Sequence, residues 1–320
     1  MSQITSPERT LLVNAVAAAI RAPSMHNTQP WHFHIHDGGL DVLADPARQL
    51  HVADPHGWAV RLACGAAIFN ARLAFAVAGR PVAVALLPQP DQPDLLACLT
   101  PGPPRPPTPR ETALYRAIGR RYSNRHPLRA EPVPASSRAE LIRAARKEGA
   151  RLRLLPDQQS LAVVAGLVHT ADATLNRDPA YRDELAQWSH RDPHSTDGVA
   201  LDAAGPGPEP HDLLTMRTFG TGNRRAGRDF ESEPLIGILV TAADALHDQL
   251  AAGQALEHVL LSATENQLAV SMFSQPIEVP TARDQLRAIV GDTPQMVLRI
   301  GYGLPGYPTA RRPVADVLDG

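Results

Sequence analysis

The sequence predicts an α+β protein made of two fused halves, on three observations. An apolar-periodic helix is followed by a hairpin signal and a second, longer apolar helix. A proline tract, Pro101-Gly102-Pro103-Pro104-Arg105-Pro106-Pro107-Thr108-Pro109, then interrupts the chain. Such a tract favours extended polyproline geometry and suits a linker. After it, the order of helices and strands resembles the order before it. The expected layout is a first half over 1–100, a linker over 101–109 and a second half over 110–320.

Taken in order, residues 7–21 place Leu12, Val16, Ala19 and Ile20 at helical spacing, and Pro23 ends the run. Residues 31–36 and 40–43 alternate like hairpin strands joined by Asp37-Gly38-Gly39. Residues 57–79 read as a long apolar helix bounded by glycines, and 82–87 as a buried strand. Beyond the linker the pattern predicts helices over 111–119 and 136–148, a strand over 151–155 and helices over 157–189. Residues 190–233 lack periodicity, and a loop this long in a compact domain is usually a functional cover or disordered. A strand over 235–240, helices over 247–269 and 282–290 and a strand over 295–300 complete the body.

The chain of 320 residues has 43% hydrophobic residues and a net charge of −2. That is enough apolar material for a sizeable core and no long-range field to gather nucleic acid or an anionic membrane. The expected partner is a small molecule. Cys64 and Cys98 cannot form a disulfide framework, and the first residues lack the basic and apolar regions of a secretory signal. Both points suggest a soluble cytoplasmic protein. The longest apolar stretch, 62–78, is interrupted by Arg72. The chain lacks G-x-G-x-x-G after a strand, a P-loop, G-x-S-x-G and H-E-x-x-H, so Rossmann-type binding and standard hydrolase sites find no support.

Two segments could carry chemistry. In Arg120-Arg121-Tyr122-Ser123-Asn124-Arg125, residues 121, 123 and 125 alternate and would point the same way in an extended strand. Arginine forks match phosphate oxygens two at a time, and serine adds a donor. Arg311 and Arg312 could add cations. Read alone, these arginines also fit a solvated helix end and a surface pair. The segment Pro23-Ser24-Met25-His26-Asn27-Thr28-Gln29-Pro30-Trp31 offers Ser24, Asn27 and Gln29 to a planar heterocycle, with Pro23 and Pro30 restricting the backbone. It fits a plain turn between helix and strand equally well. His32, His34 and His36 share one strand face and could hold zinc. No nearby cysteine or paired carboxylate in the sequence completes a ligand set, so no metal is expected there.

Together these segments resemble the FMN-dependent nitroreductases, and within them the Acg-like subgroup. Residues 23–31 look like the family's Pro-Ser-x-x-Asn-x-Gln-Pro-Trp turn, and Arg121-Tyr122-Ser123-Asn124-Arg125 like its Arg-x-Ser-x-Arg phosphate motif. The run Cys64-Gly65-Ala66-Ala67-Ile68-Phe69-Asn70-Ala71-Arg72-Leu73-Ala74 and the ending from Pro294-Gln295 to Arg311-Arg312-Pro313 also look like Acg-type segments. The resemblance implies a nitroreductase-like fold in which each half has a mostly antiparallel central sheet flanked by helices. Ordinary family members form two FMN sites across a homodimer interface. Here the motifs are divided: the first half has no Arg-x-Ser-x-Arg, and the second has residues 150–155 where Pro-Ser-x-x-Asn would stand. The implied arrangement is a fused pseudo-dimer with one composite FMN site per chain. A monomer would suffice, and a further homodimer is compatible.

By the same resemblance, Arg121, Ser123, Arg311 and Arg312 would hold the phosphate, with Arg125 near the ribityl chain and pyrimidine. Ser24, Met25 and Asn27 would face the pyrimidine edge, with Pro23 and Gln29 also counted among the cofactor-binding residues. Ser271, Met272, Phe273 and Ser274 would pack on the ring, with Ser274-Gln275 in place of the family's usual Glu-Gly near flavin N5. The flavin would do the chemistry, and no protein side chain is assigned as catalytic. Two functions follow. One is NAD(P)H-dependent, ping-pong reduction of nitroaromatics or quinones. The other is a flavin-binding or flavin-sequestering protein in which residues 190–233 form a lid over the ring.

Overall fold

The computed structural model describes residues 6–319 except 37, 193, 208, 210, 211, 220–230, 232 and 305, and the side chains of 6, 7, 190 and 191 are also outside the description. Asp37 of the expected hairpin turn and much of the expected lid after residue 207 therefore lie outside the described residues.

In chain order the first elements are α1 (Ser6–Ala19), β1 (Trp31–His36), β2 (Gly39–Ala44), α2 (Trp58–Val77), β3 (Val82–Leu86) and β4 (Leu95–Pro101). Next come α3 (Pro109–Ile118), α4 (Ala135–Lys147), β5 (Arg151–Leu154), α5 (Gln158–Arg177), α6 (Pro179–Trp188), β6 (Ser189–Arg191) and β7 (Val199–Ala200). The chain ends with β8 (Leu235–Thr241), α7 (Leu246–Glu265), β9 (Ala269–Phe273), α8 (Gln275–Glu278), α9 (Pro280–Val290), β10 (Thr293–Gly301) and β11 (Leu318–Asp319).

The fold is α+β with two main sheets. The first has the order β11-β1-β2-β4-β3 and the second β5-β8-β10-β9, while β6 and β7 form a separate parallel pair. The second sheet is antiparallel throughout; in the first, only the β1–β11 contact is parallel. Because β11 pairs with β1, the C-terminal segment leaves the second sheet and returns to the first. The segment 110–320 therefore does not belong to one sheet. The helix α3, beyond the proline tract, likewise contributes Leu114, Ala117 and Ile118 to the core built around β1, β2 and α2.

Local chemistry sets the helix starts. Thr108 Oγ1 accepts from Glu111 N at 3.1 Å while Thr108 N donates to Glu111 Oε2 at 2.7 Å, a reciprocal cap that begins α3 with Pro109 in its first turn. Asp54 Oδ2 accepts from Ala59 N and Val60 N at 2.9 and 3.1 Å and so caps α2. By length and composition α2 is apolar enough to cross a membrane, despite Arg72, but most of it is buried inside the protein.

The helices α2 and α7 cross at the centre of the molecule. At their crossing Gly65 faces Gly253: a Cβ on Gly65 would lie 2.3 Å from Leu250 O, and one on Gly253 2.2 Å from Leu62 O. Only glycine permits this backbone approach. The crossing brings both cores together and sets Leu62 and Gly65 of α2 against Leu250, Gly253 and Gln254 of α7.

Several expected elements shift. The strand expected to be buried, β3, is an edge strand with alternating exposure, because β4 covers only one of its sides. The strand β4 was not expected, since its last residue is the first proline of the tract. The helix expected over 247–269 stops at Glu265; Gln267 takes a left-handed φ of 58° and turns the chain into β9.

Candidate functional site

The segment between α1 and β1 is a tight turn in which His26, Asn27 and Gln29 all have left-handed backbones, with φ of 51°, 57° and 53°. Each such non-glycine residue costs on the order of 1 kcal/mol and persists only where its surroundings fix it. Here the side chains do so. Ser24 Oγ accepts from Gln29 N at 2.9 Å. Asn27 Nδ2 donates to Gly198 O at 3.0 Å and to Ala310 O at 3.1 Å. Gln29 Nε2 donates to Thr196 O at 2.8 Å, and its Oε1 accepts from Arg312 N at 2.9 Å. The turn is thus tied to the segment after β6 and to the C-terminal tail.

The arginine segment lies extended along the edge strand β9, where Asn124 N donates to Val270 O at 2.9 Å. This conformation projects Arg121, Ser123 and Arg125 into one polar chamber, shared with Ser24, Asn27 and Arg311, of about 390 Å³. An adjoining and more apolar cavity, about 790 Å³ when the open solvent at its mouth is counted, is walled by Met25, Trp58, Leu62, Met272 and Phe273, among others. The two spaces share Pro23, Ser24, Ser123 and Arg125. Trp58 is fixed by its Nε1, which donates to Gln295 Oε1 at 2.7 Å.

The polar chamber has more cationic than anionic charge. Arg121, only 4% exposed, approaches the fully buried Glu257 with Nε 3.5 Å from Oε1. Arg311 lies close by, its Nη2 donating to Ala22 O at 3.2 Å. Burial, then the neighbouring Arg121 and Arg21, push the Arg311 guanidinium down to about 9, and burial with Arg217 pushes Arg125 down to about 10. Burial likewise raises Glu257, against the pull of Arg121 and Arg311. Among the described residues, Nε of Arg121 and Nε of Arg311 make no hydrogen bond, the former facing Glu257 only as an ion pair. Unpaired buried donors of this kind favour an anion.

Part of the segment after β7 lies along the apolar side. Met216, Arg217 and Phe219 line that cavity. Arg217 forms an ion pair with Glu278, donates to Tyr181 Oη and reaches Ser274 Oγ at 3.2 Å. The Arg125 guanidinium carbon lies 4.8 Å from the Phe219 ring centre, and His26 meets the same ring edge-on at 5.4 Å. Burial, then Arg217 and Arg125, hold His26 well below the usual imidazole range, so it is neutral at physiological pH. Arg125 also donates to Ala203 O at 2.8 Å. Gly205, with φ of 76°, lies so near Arg125 that a Cβ would come within 2.6 Å of its Cβ.

Of the residues proposed from sequence, Pro23, Ser24, Met25, Asn27, Arg121, Ser123, Arg125, Arg311, Met272, Phe273 and Ser274 line one or both cavities. Gln29, Arg312 and Ser271 do not. Gln29 spends its amide on the backbone contacts above. Arg312 turns to Asp45, 3.6 Å away, and to Asp316 O. Ser271 Oγ accepts from the buried Arg299 at 3.2 Å on the opposite side of β9 from Met272. Sequence reasoning missed Trp58, Arg217, Phe219 and Glu257. Glu257 had one available signal, a lone acid amid the apolar run of α7; Arg217 and Phe219 lie in aperiodic sequence that carries none.

No family model matches the chain. Among similar proteins, "Putative NAD(P)H nitroreductase Rv3131" of Mycobacterium tuberculosis is 32% identical over 98% of this chain and 92% of its own length. "Putative NAD(P)H nitroreductase acg" of the same organism is 28% identical over 96% and 95%. Among solved structures, a nitroreductase with bound FMN from Desulfitobacterium hafniense covers 64% of this chain and 95% of its own at 12% identity, with a TM-score of 0.41. A nitroreductase with bound FMN from Bacteroides fragilis covers 62% and 93% at 13% identity and a TM-score of 0.38. With a relative this similar along nearly its whole length, the chain belongs to the nitroreductase family, among its Acg-like members.

Proposed function

We propose that the protein is an FMN-binding oxidoreductase of nitroreductase type that uses NAD(P)H to reduce small acceptors such as nitroaromatics or quinones. The observation that carries this reading is the joined pair of cavities. A polar chamber with surplus guanidinium charge borders an apolar cavity walled by Met25, Trp58, Met272 and Phe273, which suits an aromatic ring system. FMN has this division of a phosphate dianion and a flat apolar ring. The Nε atoms of Arg121 and Arg311, which make no hydrogen bond among the described residues, fit the phosphate, with Glu257 offsetting part of the guanidinium charge.

The roles of the chain follow from chemistry. Arg121, Arg311 and Ser123 would donate to the phosphate. Arg125, at the border of the two spaces, would supply a fixed positive charge beside the bound flavin, and such a charge favours the electron-rich reduced form. Ser24 has a hydroxyl proton left to donate, since its oxygen already accepts from Gln29 N. Met25, Trp58, Met272 and Phe273 exclude water from the ring faces. When bound, FMN supplies the two-electron relay between NAD(P)H and the acceptor.

A second reading has its own observation. Met216, Arg217 and Phe219 close one side of the apolar cavity, which favours a covered flavin in a binding or sequestering protein with little reductase activity. The test common to both is the flavin released per chain from purified, denatured protein, in wild type and in Arg121→Ala. One FMN per wild-type chain and a loss of at least about tenfold in retention in the variant are expected. Two flavins per chain, none after reconstitution, or an unchanged variant would overturn the assignment.

A further inference from the structure

The first sheet carries a second cluster of reactive side chains, away from the two cavities and unused by the proposed chemistry. The register of its strands aligns three residues across one face: His34 is opposite Asp41, and Asp41 is opposite Cys98. His36, two residues further along β1, projects from that same face. Its Nε2 lies 3.3 Å from Asp41 Oδ1 and 3.8 Å from Cys98 Sγ, and the ligand atoms of these three residues all fall within 4.8 Å of one another. The exposed His34 ring stacks beside that of His36 with centroids 6.4 Å apart.

We propose that His36, Asp41 and Cys98, with His34 as fourth ligand, form a zinc-binding site on the outer face of the first sheet. Zinc bonds of about 2.0–2.3 Å in a tetrahedron hold the ligand atoms about 3.3–3.8 Å apart. Two of the distances in the cluster, 3.3 and 3.8 Å, already match. Three ligands stand on three hydrogen-bonded strands, so little backbone ordering is needed on binding. The donor set of imidazole, thiolate and carboxylate suits zinc and excludes calcium and magnesium, which prefer oxygen alone. It also balances charge, since one thiolate and one carboxylate neutralise a divalent ion.

The protons balance as well. Cys98 gives its thiol proton to solvent when sulfur binds the metal. His36 Nδ1 accepts from Gly38 N at 3.0 Å, which places the ring proton on Nε2 facing Asp41. Binding through Nε2 moves that proton to Nδ1 and releases the Gly38 contact at the exposed end of the hairpin. His34, exposed and with its ring stacked beside His36, is the side chain placed to supply the fourth ligand.

The site needs no flavin, so its test is independent of the proposed function. The untagged full chain, stripped with chelator and then dialysed free of it, is titrated with Zn²⁺ alone and separately with Co²⁺. One equivalent of Zn²⁺ should bind and raise the melting temperature. The Co²⁺ protein should show thiolate-to-cobalt charge-transfer absorption and the intense visible bands of tetrahedral cobalt. Cys98→Ser should abolish the charge-transfer band and weaken Zn²⁺ by at least about tenfold, as should Asp41→Asn if the serine variant fails to fold. His32→Ala should bind as wild type, because His32 pairs instead with Asp319 at 3.0 Å. No uptake of Zn²⁺, or uptake unchanged in both Cys98→Ser and Asp41→Asn, would overturn the proposal.

Discussion

Asp54 shows how one buried carboxyl serves an element at a cost. It caps α2 through two backbone amides yet is 3% exposed, and burial outweighs the amides to raise its pKa from 3.8 to about 6. The sign follows from linkage: a carboxyl whose pKa is raised by folding contributes stability that is full below the unfolded value and is lost as pH rises through the folded one. Between pH 3.8 and about 6 that loss approaches about 3 kcal/mol. Asn keeps an acceptor for Ala59 N without the charge. Asp54→Asn is therefore expected to gain stability relative to wild type between pH 4 and 7, by up to about 3 kcal/mol, and to hold that advantage above pH 7. Urea unfolding at a series of pH values measures this. A difference that does not change with pH would mean that the carboxyl ionises as freely in the fold as in the unfolded chain.

At the scale of elements, the contact between α2 and α7 decides how the two cores join. Gly253→Ala would place a methyl 2.2 Å from Leu62 O and 2.8 Å from Gly65 Cα. Backbone cannot rotate away as a side chain can, so the helices must separate. The expected cost is about 3 kcal/mol or more, read from denaturant unfolding. Gly166→Ala on α5, where nothing lies within 4 Å of the new methyl, should be neutral or stabilising. The two glycines of the crossing are invisible in sequence, where a glycine inside a helical pattern reads only as a weak point. The helices themselves were legible, because their apolar periodicity is local. What escaped were elements whose signal is overwritten by a neighbour: β4 by the proline tract that begins with its last residue, and β9 by the apolar run that continues from α7. β11 has two residues and owes its existence to β1 alone.

On the scale of the whole molecule, the candidate site is an assembly of distant segments. The turn after α1, the arginine segment, the stretch after β7, the end of β9 and the C-terminal tail meet between the two cores. Sequence reasoning found the turn and the arginines because each carries an unusual density of donors. It could not find the closing residues, since Arg217 becomes specific only through Glu278 and Tyr181, and Phe219 only through Arg125 and His26. Those contacts bear on the choice between an open reductase and a covered flavin. Arg217 ties the stretch around 216–219 to α6 and α8, so a nicotinamide approaching from that side must displace it. On the reductase reading, anaerobic NADPH bleaches the wild-type flavin, and Arg217→Ala speeds the bleaching by about tenfold, the effect expected from weakening a latch by about 1.4 kcal/mol. Flavin content is measured alongside, so that loss of cofactor is not mistaken for loss of access. If dithionite bleaches the wild type and NADPH does not, while NADPH does bleach Arg217→Ala, the protein is a covered flavin carrier and the latch is what makes it one. If NADPH bleaches both at the same rate, the stretch does not gate the ring, and access must come from another side of the cavity.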